Sequence, residues 1–443
     1  MPEVGWVDRS IGDCLNTSFA GEWGSEPAPG NAIVLRATDI DNDGHVVGAG
    51  AIRSIPNSKL CAKRLHQGDI LLEGSGGGPD KPVGRVALFD ASAHSSPAVC
   101  SNFFKTLRPA PHVVHDRFLW RKLGWFYRQP ALLALQQQTT GIINLKFAEY
   151  LCVRISLPVD VAEQVKIAEV LDTLDTTIRQ TEAIIDKLKQ VKQGLLHDLL
   201  TRGIADNGEL RPPQSEAPHL YKDSALGWIP IAWNVLGLAE MSTPSRSVLR
   251  TGPFGSSLKG EHLVDMGHPV VTIGSLGDGH FIKSELLYVS ESTALALADS
   301  QLLPGDIAFS RVADVGRSVV VEEQQRGWIM SSNFMRIAVD PDLMVPHFLQ
   351  RELALDYRVK RQIRATVNSA GRDVASTAIL MSLRFATPPM QEQNEIVRRA
   401  RAVDIKTERE ESARSKFLVT RAGLMDDLLT GRVRVTSLLN AET

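Results

Sequence analysis

Ten positions, Ile167, Leu171, Leu174, Ile178, Thr181, Ile185, Leu188, Lys192, Leu195 and Leu199, follow an alternating four–three spacing, and eight of them are apolar. On a helix of 3.6 residues per turn this spacing gathers into one seam that only another helix can cover. Pro158 precedes the run and no Pro or Gly interrupts it before Gly194. The pattern predicts a helix over 158–202, with a rod of roughly 60 Å from Val161 to Thr201 at ~1.5 Å per residue. A second seam, Ile396, Ala400, Val403, Thr407, Glu410, Arg414, Phe417, Arg421, Leu424 and Leu428, is apolar at its ends and polar or charged in its middle. Strong helix formers fill Glu408–Arg421 without a breaker, so a helix is predicted over 388–432. Its polar middle suits a solvated face, a partner protein or polar groups on the opposing helix.

The two helices are copies of one another. Glu163-Gln164, Ile167, Asp175, Glu182, Gly194-Leu195 and Asp198-Leu199-Leu200-Thr201 return as Glu392-Gln393, Ile396, Asp404, Glu411, Gly423-Leu424 and Asp427-Leu428-Leu429-Thr430, a shift of 229 at both ends (163 to 392, 201 to 430). Upstream the repeat is looser. Gly68-Asp69-Ile70 matches Gly305-Asp306-Ile307, Gly84-Arg85 matches Gly316-Arg317, and Ser101-Asn102-Phe103 matches Ser332-Asn333-Phe334. Phe118-Leu119 matches Phe348-Leu349, and Thr140-Gly141 aligns with Ala370-Gly371. Self-similarity at a fixed period decides architecture, and here it implies two homologous halves, each a divergent globular domain followed by a long helix.

Within the globular parts, short β-rich runs are cut by Gly, Pro and Asp: Ala32–Arg36, Asp69–Leu72, Val83–Phe89, Val270–Ile273, Asp306–Arg311 and Arg317–Val321, with a helix expected over His347–Lys360. Residues 203–223 are Pro-rich, polar and aperiodic, and form a linker. The expected organisation is α+β: a globular domain over 1–157, a helix over 158–202, the linker, a second domain over 224–387, a helix over 388–432 and a tail over 433–443. The helices are expected to pair antiparallel in coiled-coil fashion, with an internal pseudo-twofold repeat.

Composition changes this picture little. Hydrophobic residues make up 43% and charged residues 23% of 443 residues, which is ordinary globular usage. The net charge of −2 confines any nucleic-acid surface to a local patch. Cys14, Cys61, Cys100 and Cys152 lack zinc-ligand spacing and are expected as buried or half-buried free thiols. No signal pattern or long apolar run is present, so a cytoplasmic protein without a membrane segment is expected.

Catalytic motifs are missing: there is no G-x-G-x-x-G, H-E-x-x-H or G-x-S-x-G. Gly74–Lys81 lacks the Gly-Lys-Ser/Thr of a phosphate-cradling loop and suits a plain turn or a close approach to a DNA backbone. Asp404-Ile405-Lys406 lies mid-helix without a partner acid, and Pro212-Pro213 and Pro388-Pro389 lack the neighbours of a DNA amino-methyltransferase motif.

The string Lys189–Ile204, followed by Leu226-Gly227-Trp228-Ile229-Pro230, resembles the central conserved region of type I restriction–modification specificity subunits. Pro388–Gln393 and Gly423–Val433 resemble the distal one, and Pro253-Phe254-Gly255-Ser256-Ser257-Leu258-Lys259, Gly-Asp-Ile and Ser-Asn-Phe resemble domain motifs of the family. The resemblance covers nearly the whole chain. It implies two target-recognition domains reading a bipartite asymmetric DNA target, and no catalytic centre on this chain. It further implies two methyltransferase subunits and restriction subunits as partners, with S-adenosylmethionine, ATP and Mg bound on those subunits.

Family members place DNA contacts on domain loops, where this sequence offers Arg36, Ser75, Lys81, Arg85, Thr139 and Thr140 in the first domain. In the second it offers Lys259, Ser310, Arg311, Arg317, Asn333, Asn368 and Arg372. Phosphates are met by cations and base edges by side chains with matching donors and acceptors, although each of these residues equally suits a solvated or capping role. Arg85 and Arg311 stand out because each lies at a matched post-strand loop, whereas the Phe of Ser-Asn-Phe reads as core. The rival reading is a two-headed coiled-coil scaffold that binds no DNA, which salt-sensitive DNA retention would exclude.

If the helices act as a ruler between half-sites, four residues inserted between Glu182 and Lys187 lengthen the first helix by ~6 Å and turn its far end about 40° past a full turn. DNA rises ~3.4 Å per base pair, and helix seating and DNA bending absorb part of the change. The unread spacer is therefore expected to grow by about one or two base pairs, with both half-site sequences unchanged. A methylated motif that keeps its original spacing at full activity would overturn the ruler.

Overall fold

The computed structural model describes residues 5–26, 30–78, 81–139, 141–253, 258–277, 279–312, 315–369 and 374–439. The chain forms two compact units, one built from residues 1–183 with 411–443 and the other from 184–410. The seam patterns become helices of 41 residues, Val161–Thr201 and Met390–Thr430. Each unit therefore holds part of both.

In the first unit the run Ile70-Leu71-Leu72 is the interior of a four-stranded antiparallel sheet, ordered Leu15–Ala20, Phe104–Pro109, Ile70–Glu73, Val86–Leu88. Its side chains alternate between faces, as a strand requires. Ile70 and Leu72 enter the core beneath the helix Asp116–Tyr127, while Leu71 joins Ala87, Phe89 and Phe104 on the other side. Burial on both faces explains why the run is continuously apolar. A smaller sheet of Ala51–Arg53, Ala32–Leu35 and Ala98–Cys100 packs nearby, its last two strands parallel. Strand Trp6–Ser10 pairs antiparallel with Arg154–Pro158, which ties the start of the chain to the segment feeding the long helix.

The second unit repeats the plan. Its four-stranded sheet runs Leu249–Thr251, Phe334–Ile337, Ile307–Ser310, Ser318–Val320, and Asn234–Gly237 pairs with Arg384–Thr387 ahead of the second helix. The Gly-Asp-Ile repeat is a turn lock. The buried Asp69 carboxylate accepts the His66 N–H at 2.7 Å and pairs with Arg108 at 2.8 Å. Asp306 accepts the Leu303 N–H at 2.7 Å and pairs with Arg246 at 2.9 Å.

Two expectations need correction. Phe103 is 49% exposed, and the residue equivalent to the buried Phe334 is Phe104. The main chain shows this: the Gly21 N–H donates to Phe104 O, the Gly252 N–H to Phe334 O, and the N–H groups of Phe104 and Phe334 donate to Ser101 O and Ser331 O. The true shift is 230, one less than the side-chain identities suggest. The helix expected over His347–Lys360 is two helices, Pro346–Leu355 and Tyr357–Ser369. Asp356 breaks it because its carboxylate accepts the Arg358 N–H at 2.6 Å and starts the second helix.

The long helices pair antiparallel in both units, since rising numbers on one meet falling numbers on the other. In the first unit Asp175 pairs with Arg421 at 2.7 Å and Glu182 with Arg414 at 2.7 Å. In the second, Lys192 pairs with Asp404 at 2.8 Å, and Glu392 accepts the Ile204 N–H at 2.7 Å. Arg414 and Arg421 of the polar middle thus meet acids of the opposing helix. Each helix also begins with a buried glutamine that holds its own domain. Gln164 accepts the His115 N–H at 2.8 Å and donates to Val113 O and Pro158 O; Gln393 accepts the Val345 N–H at 2.8 Å and donates to Leu343 O and Pro388 O.

The cysteines divide. Cys14 and Cys100 are buried, and burial pushes both thiols up to about 11. Cys61 and Cys152 are exposed, contrary to the expectation for four covered thiols, because each ends or nears the end of a short surface helix. Among the described residues no helix is long and apolar enough to cross a membrane, and no group of three or more His, Cys, Asp or Glu could hold a metal ion.

At the far end of the second long helix the Leu429 carbonyl accepts a bond from Lys122, which is 3% exposed. Burial lowers the Lys122 ammonium to about 8, with Asp8 pulling weakly the other way. Between about pH 8 and the unfolded value near 10.5, the unfolded chain holds a proton that the native chain has lost, so stability rises with pH. Relative to Lys122→Met, the unsubstituted protein should gain up to about 3 kcal/mol across that window. Urea titrations of both at pH 7 and pH 10 check this, and a difference that does not grow with pH would contradict it.

Candidate nucleic-acid interface

The candidate loops of the two units share one main-chain frame. In the first unit the chain leaves strand Ile70–Glu73 at Gly74, whose N–H donates to Phe103 O at 2.7 Å and whose carbonyl accepts the Leu145 N–H at 2.9 Å. In the second it leaves Ile307–Ser310 at Arg311, whose N–H donates to Asn333 O at 3.0 Å and whose carbonyl accepts the Ala375 N–H at 2.8 Å. Beside these sites the Glu73 N–H donates to Arg85 O and the Ser310 N–H to Arg317 O, both at 2.8 Å. Position for position, Gly74 answers to Arg311, Glu73 to Ser310 and Arg85 to Arg317.

The Gly-Arg repeat follows from this frame. Gly84 and Gly316 sit at φ +118° and +105°, in the left-handed region that a side chain disfavours. That backbone turn returns the arginine carbonyl to the sheet. The arginine side chains then diverge. Arg85 is 7% exposed, with Nε and Nη2 each 3.0 Å from the Glu73 carboxylate and further bonds to Ile40 O and Ala37 O. Glu73 holds the Arg85 guanidinium above its ordinary pKa. Arg85 is thereby committed to the interior: it joins the strand exit to the 3-10 turn Ala37–Asp39 and to Ile40 after it. Ser310 is too short for the same pairing, and Arg317 instead donates to Leu276 O at 2.7 Å.

The remaining candidates are placed as follows. Ser75 opens strand Ser75–Gly77, opposite Asn144 of strand Ile142–Leu145, and is half-buried. Lys81 is exposed and bridges to Gly78. Arg36 is half-exposed and grips Asp39 with two bonds of 2.9 Å. Thr139 ends strand Gln136–Thr139, but its side chain, like all of Thr140, lies outside the described residues. In the second unit Arg311 and Asn333 are brought together and half-buried. Ser310 is 1% exposed and donates to Val312 O at 2.9 Å, so its hydroxyl serves the turn. Lys259 is exposed and pairs with Glu261 at 3.4 Å, apart from this cluster. Asn368 lies in the helix Tyr357–Ser369 with its side chain outside the described residues, and Arg372 lies outside them altogether.

Phe103 was missed as a surface residue. Its carbonyl receives the N–H groups of Gly74 and Ser75, and its ring lies beside Gly76, where an added Cβ would stand 3.3 Å from Cδ1. The Phe103-Phe104 doublet carried the signal: only Phe104 belongs to strand Phe104–Pro109, and Phe103 stands in the turn ahead of it.

A family profile described as the type I restriction modification DNA specificity domain matches residues 3–190. Over that first part the chain is similar to the type I specificity family. It is 22% identical over 97% of its length to a putative type I restriction enzyme MjaX specificity subunit of Methanocaldococcus jannaschii, covering 94% of that protein. It is 21% identical to the MjaVIII specificity subunit of the same organism over 77% of this chain and 75% of the other. The S subunit of a type I system from M. genitalium superposes with a TM-score of 0.55 at 16% identity, over 96% of both chains, which is a likeness of fold.

Arg85→Ala strands the Glu73 carboxylate in a buried site and should destabilise the protein by about 3–5 kcal/mol, whereas replacing both partners with apolar residues should cost far less. Thermal unfolding of the single and double variants measures this. Equal losses in the two would show that the pair is not what Arg85 provides.

Proposed function

We propose that this chain is a type I specificity subunit without a catalytic centre of its own, which reads a bipartite, asymmetric DNA target with one globular domain per half-site and docks two methyltransferase subunits and the restriction subunits that act on it. The observation that carries the reading is the repeated strand exit, where one main-chain frame presents Gly74 and Ser75 in one domain and Arg311 beside Asn333 in the other. Bonds made by the main chain leave side chains free to differ, as two readers of different bases require. S-adenosylmethionine, ATP and Mg then belong to the partner subunits, and the complex works in the cytoplasm.

Exchange of residues 1–157 for the first domain of another family member tests this. The exchanged segment keeps most of the strand pair Trp6–Ser10 with Arg154–Pro158 together. Methylome sequencing of cells carrying the hybrid should show one half-site changed and the other kept; a motif altered in both halves would refute the reading. Arg311→Ala should weaken discrimination at the second half-site alone, by about 1–3 kcal/mol if its guanidinium meets a base edge.

A further inference from the structure

The two domains differ in the segment that follows the matched helices Asp116–Tyr127 and Pro346–Leu355. With the shift of 230, Tyr127-Arg128 corresponds to Tyr357-Arg358 and Pro130 to Lys360. Proline in the first domain prevents a helix from continuing, and the chain forms a 3-10 turn over Pro130–Leu135 and then strand Gln136–Thr139. In the second domain the same stretch is the helix Tyr357–Ser369. It contains Arg358, Lys360, Arg361 and Arg364 and no acid, against the single cation Arg128 in residues 127–139.

One face of this helix is fixed. Arg358 is buried against Asp356 and donates to Leu200 O, and Val359 and Ile363 are 1% and 5% exposed. Gln362 exchanges two bonds of 3.0 Å with the main chain of Arg384. At about 100° per residue, Arg358, Val359, Gln362 and Ile363 occupy one sector, and Lys360, Arg361 and Arg364 the sector opposite. These three side chains are exposed and form no ion pair among the described residues. Of the other exposed arginines in this unit, Arg326 pairs with Glu323, Arg398 with Glu395 and Arg250 with Asp299, while Arg401 and Arg409 on the second long helix have no ion pair among the described residues. Beyond the helix the chain returns at Val374 and Ala375 to pair with Val312 and Arg311. The uncompensated cations therefore lie on the element that leads into the candidate reading loop.

We propose that Lys360, Arg361 and Arg364 are a phosphate clamp of the second domain, gripping the sugar–phosphate strand beside its half-site without reading bases. The inference rests on the DNA-reading function proposed above. A rigid helix with its cations held on one side is suited to a repeating line of phosphates, and with no acid within the helix and no ion pair to these three among the described residues, their charge is left for an external polyanion. The first domain, with Pro130 at the equivalent place, has no such face on this segment.

The test uses the full chain in complex with its methyltransferase subunits, a duplex carrying the target defined by the methylation motif, and a mixed-sequence duplex without it. The variant is Lys360→Gln, Arg361→Gln and Arg364→Gln combined; Arg326→Gln with Arg398→Gln is the control. Each phosphate contact contributes about 0.9 to the slope of log affinity against log salt. The triple variant should therefore bind both duplexes with a slope shallower by about two to three, and should bind the target roughly 10- to 100-fold more weakly at low salt. Discrimination against single base-pair changes in either half-site should persist, and the control should behave as the unsubstituted complex. Exposed substitutions of this kind leave the unfolding midpoint nearly unchanged, which melting curves verify. An unaltered slope in a complex that still binds DNA would overturn the clamp while leaving the DNA-reading function intact. Loss of methyltransferase association with an unaltered slope would overturn it too, and would assign the face to an acidic protein surface. Failure of the unsubstituted complex to bind either duplex would remove the function and the clamp together.

Discussion

Each unit is organised around an aspartate on a long helix that is held between two cations, one from its own domain and one from across the seam. Asp175 is 6% exposed and lies between Arg121 of its own domain and Arg421 of the opposing helix. Asp404 lies between Arg351 and Lys192, at 2.9 Å and 2.8 Å. Burial works against ionisation of Asp404, yet Lys192 and Arg351 hold its carboxyl below the usual range. Stranding such a charge costs several kcal/mol, so one side chain requires domain helix, long helix and opposing helix to be present together. A second clasp closes each unit: Glu163 pairs with Arg434, and Glu392 with Arg211 at 3.0 Å. In both cases the acid at the start of one long helix is held by an arginine that follows the end of the other.

This arrangement accounts for the polar middle of the second helix. A seam position carrying Arg421 or Arg414 looks defective by apolar periodicity, and becomes intelligible only with Asp175 and Glu182 opposite it. The helices themselves were legible because heptad spacing is a property of one segment. The ion pairs were not, since residues as far apart as 175 and 421 share no local signal. The same reason hid the fate of Arg85, whose partner Glu73 lies 12 residues away across a β-hairpin. Ser-Asn-Phe misled by one residue because the Phe103-Phe104 doublet offers two registers, and only the main-chain bonds to Gly21 and Gly252 distinguish them. For the candidate site, the place of Arg311 at the strand exit was legible from the repeat. Which neighbours surround it depends on Asn333 and Ala375, brought in from elsewhere in the chain.

The frame at the strand exit also explains how two halves can keep one fold and present different chemistry. Its bonds run between peptide groups, so exchanging Gly74 for an arginine at the matching position removes none of them. Where side chains do take part in the frame, changes are coupled. Glu73 with Arg85 forms a buried pair in one domain, whereas Ser310 with Arg317 requires the guanidinium to find Leu276 O instead. Buried guanidinium donors need partners: Arg85 finds them in Glu73, and the half-buried Arg317 finds one in a main-chain carbonyl.

The ends of the long helices show the same logic under a stronger constraint. The Leu200 and Leu429 carbonyls stand at equivalent places near the helix ends, among groups without a helical partner of their own. In the first unit Lys122 reaches Leu429 O; the equivalent residue in the second unit is Glu352, which is fully buried and makes no bond to the Leu200 carbonyl. Arg358 takes over, reaching Leu200 O while bound to Asp356. Burial, together with the neighbouring Asp356, drives the Glu352 carboxyl well above its ordinary range, against the pull of Arg358. The neutral acid is the form that this interior accommodates. One unmet carbonyl in each half is thus answered by a buried base in the first unit and by an arginine between two acids in the second. The requirement is set by helix geometry, and the residue that meets it is free to change provided that the charges around it change too.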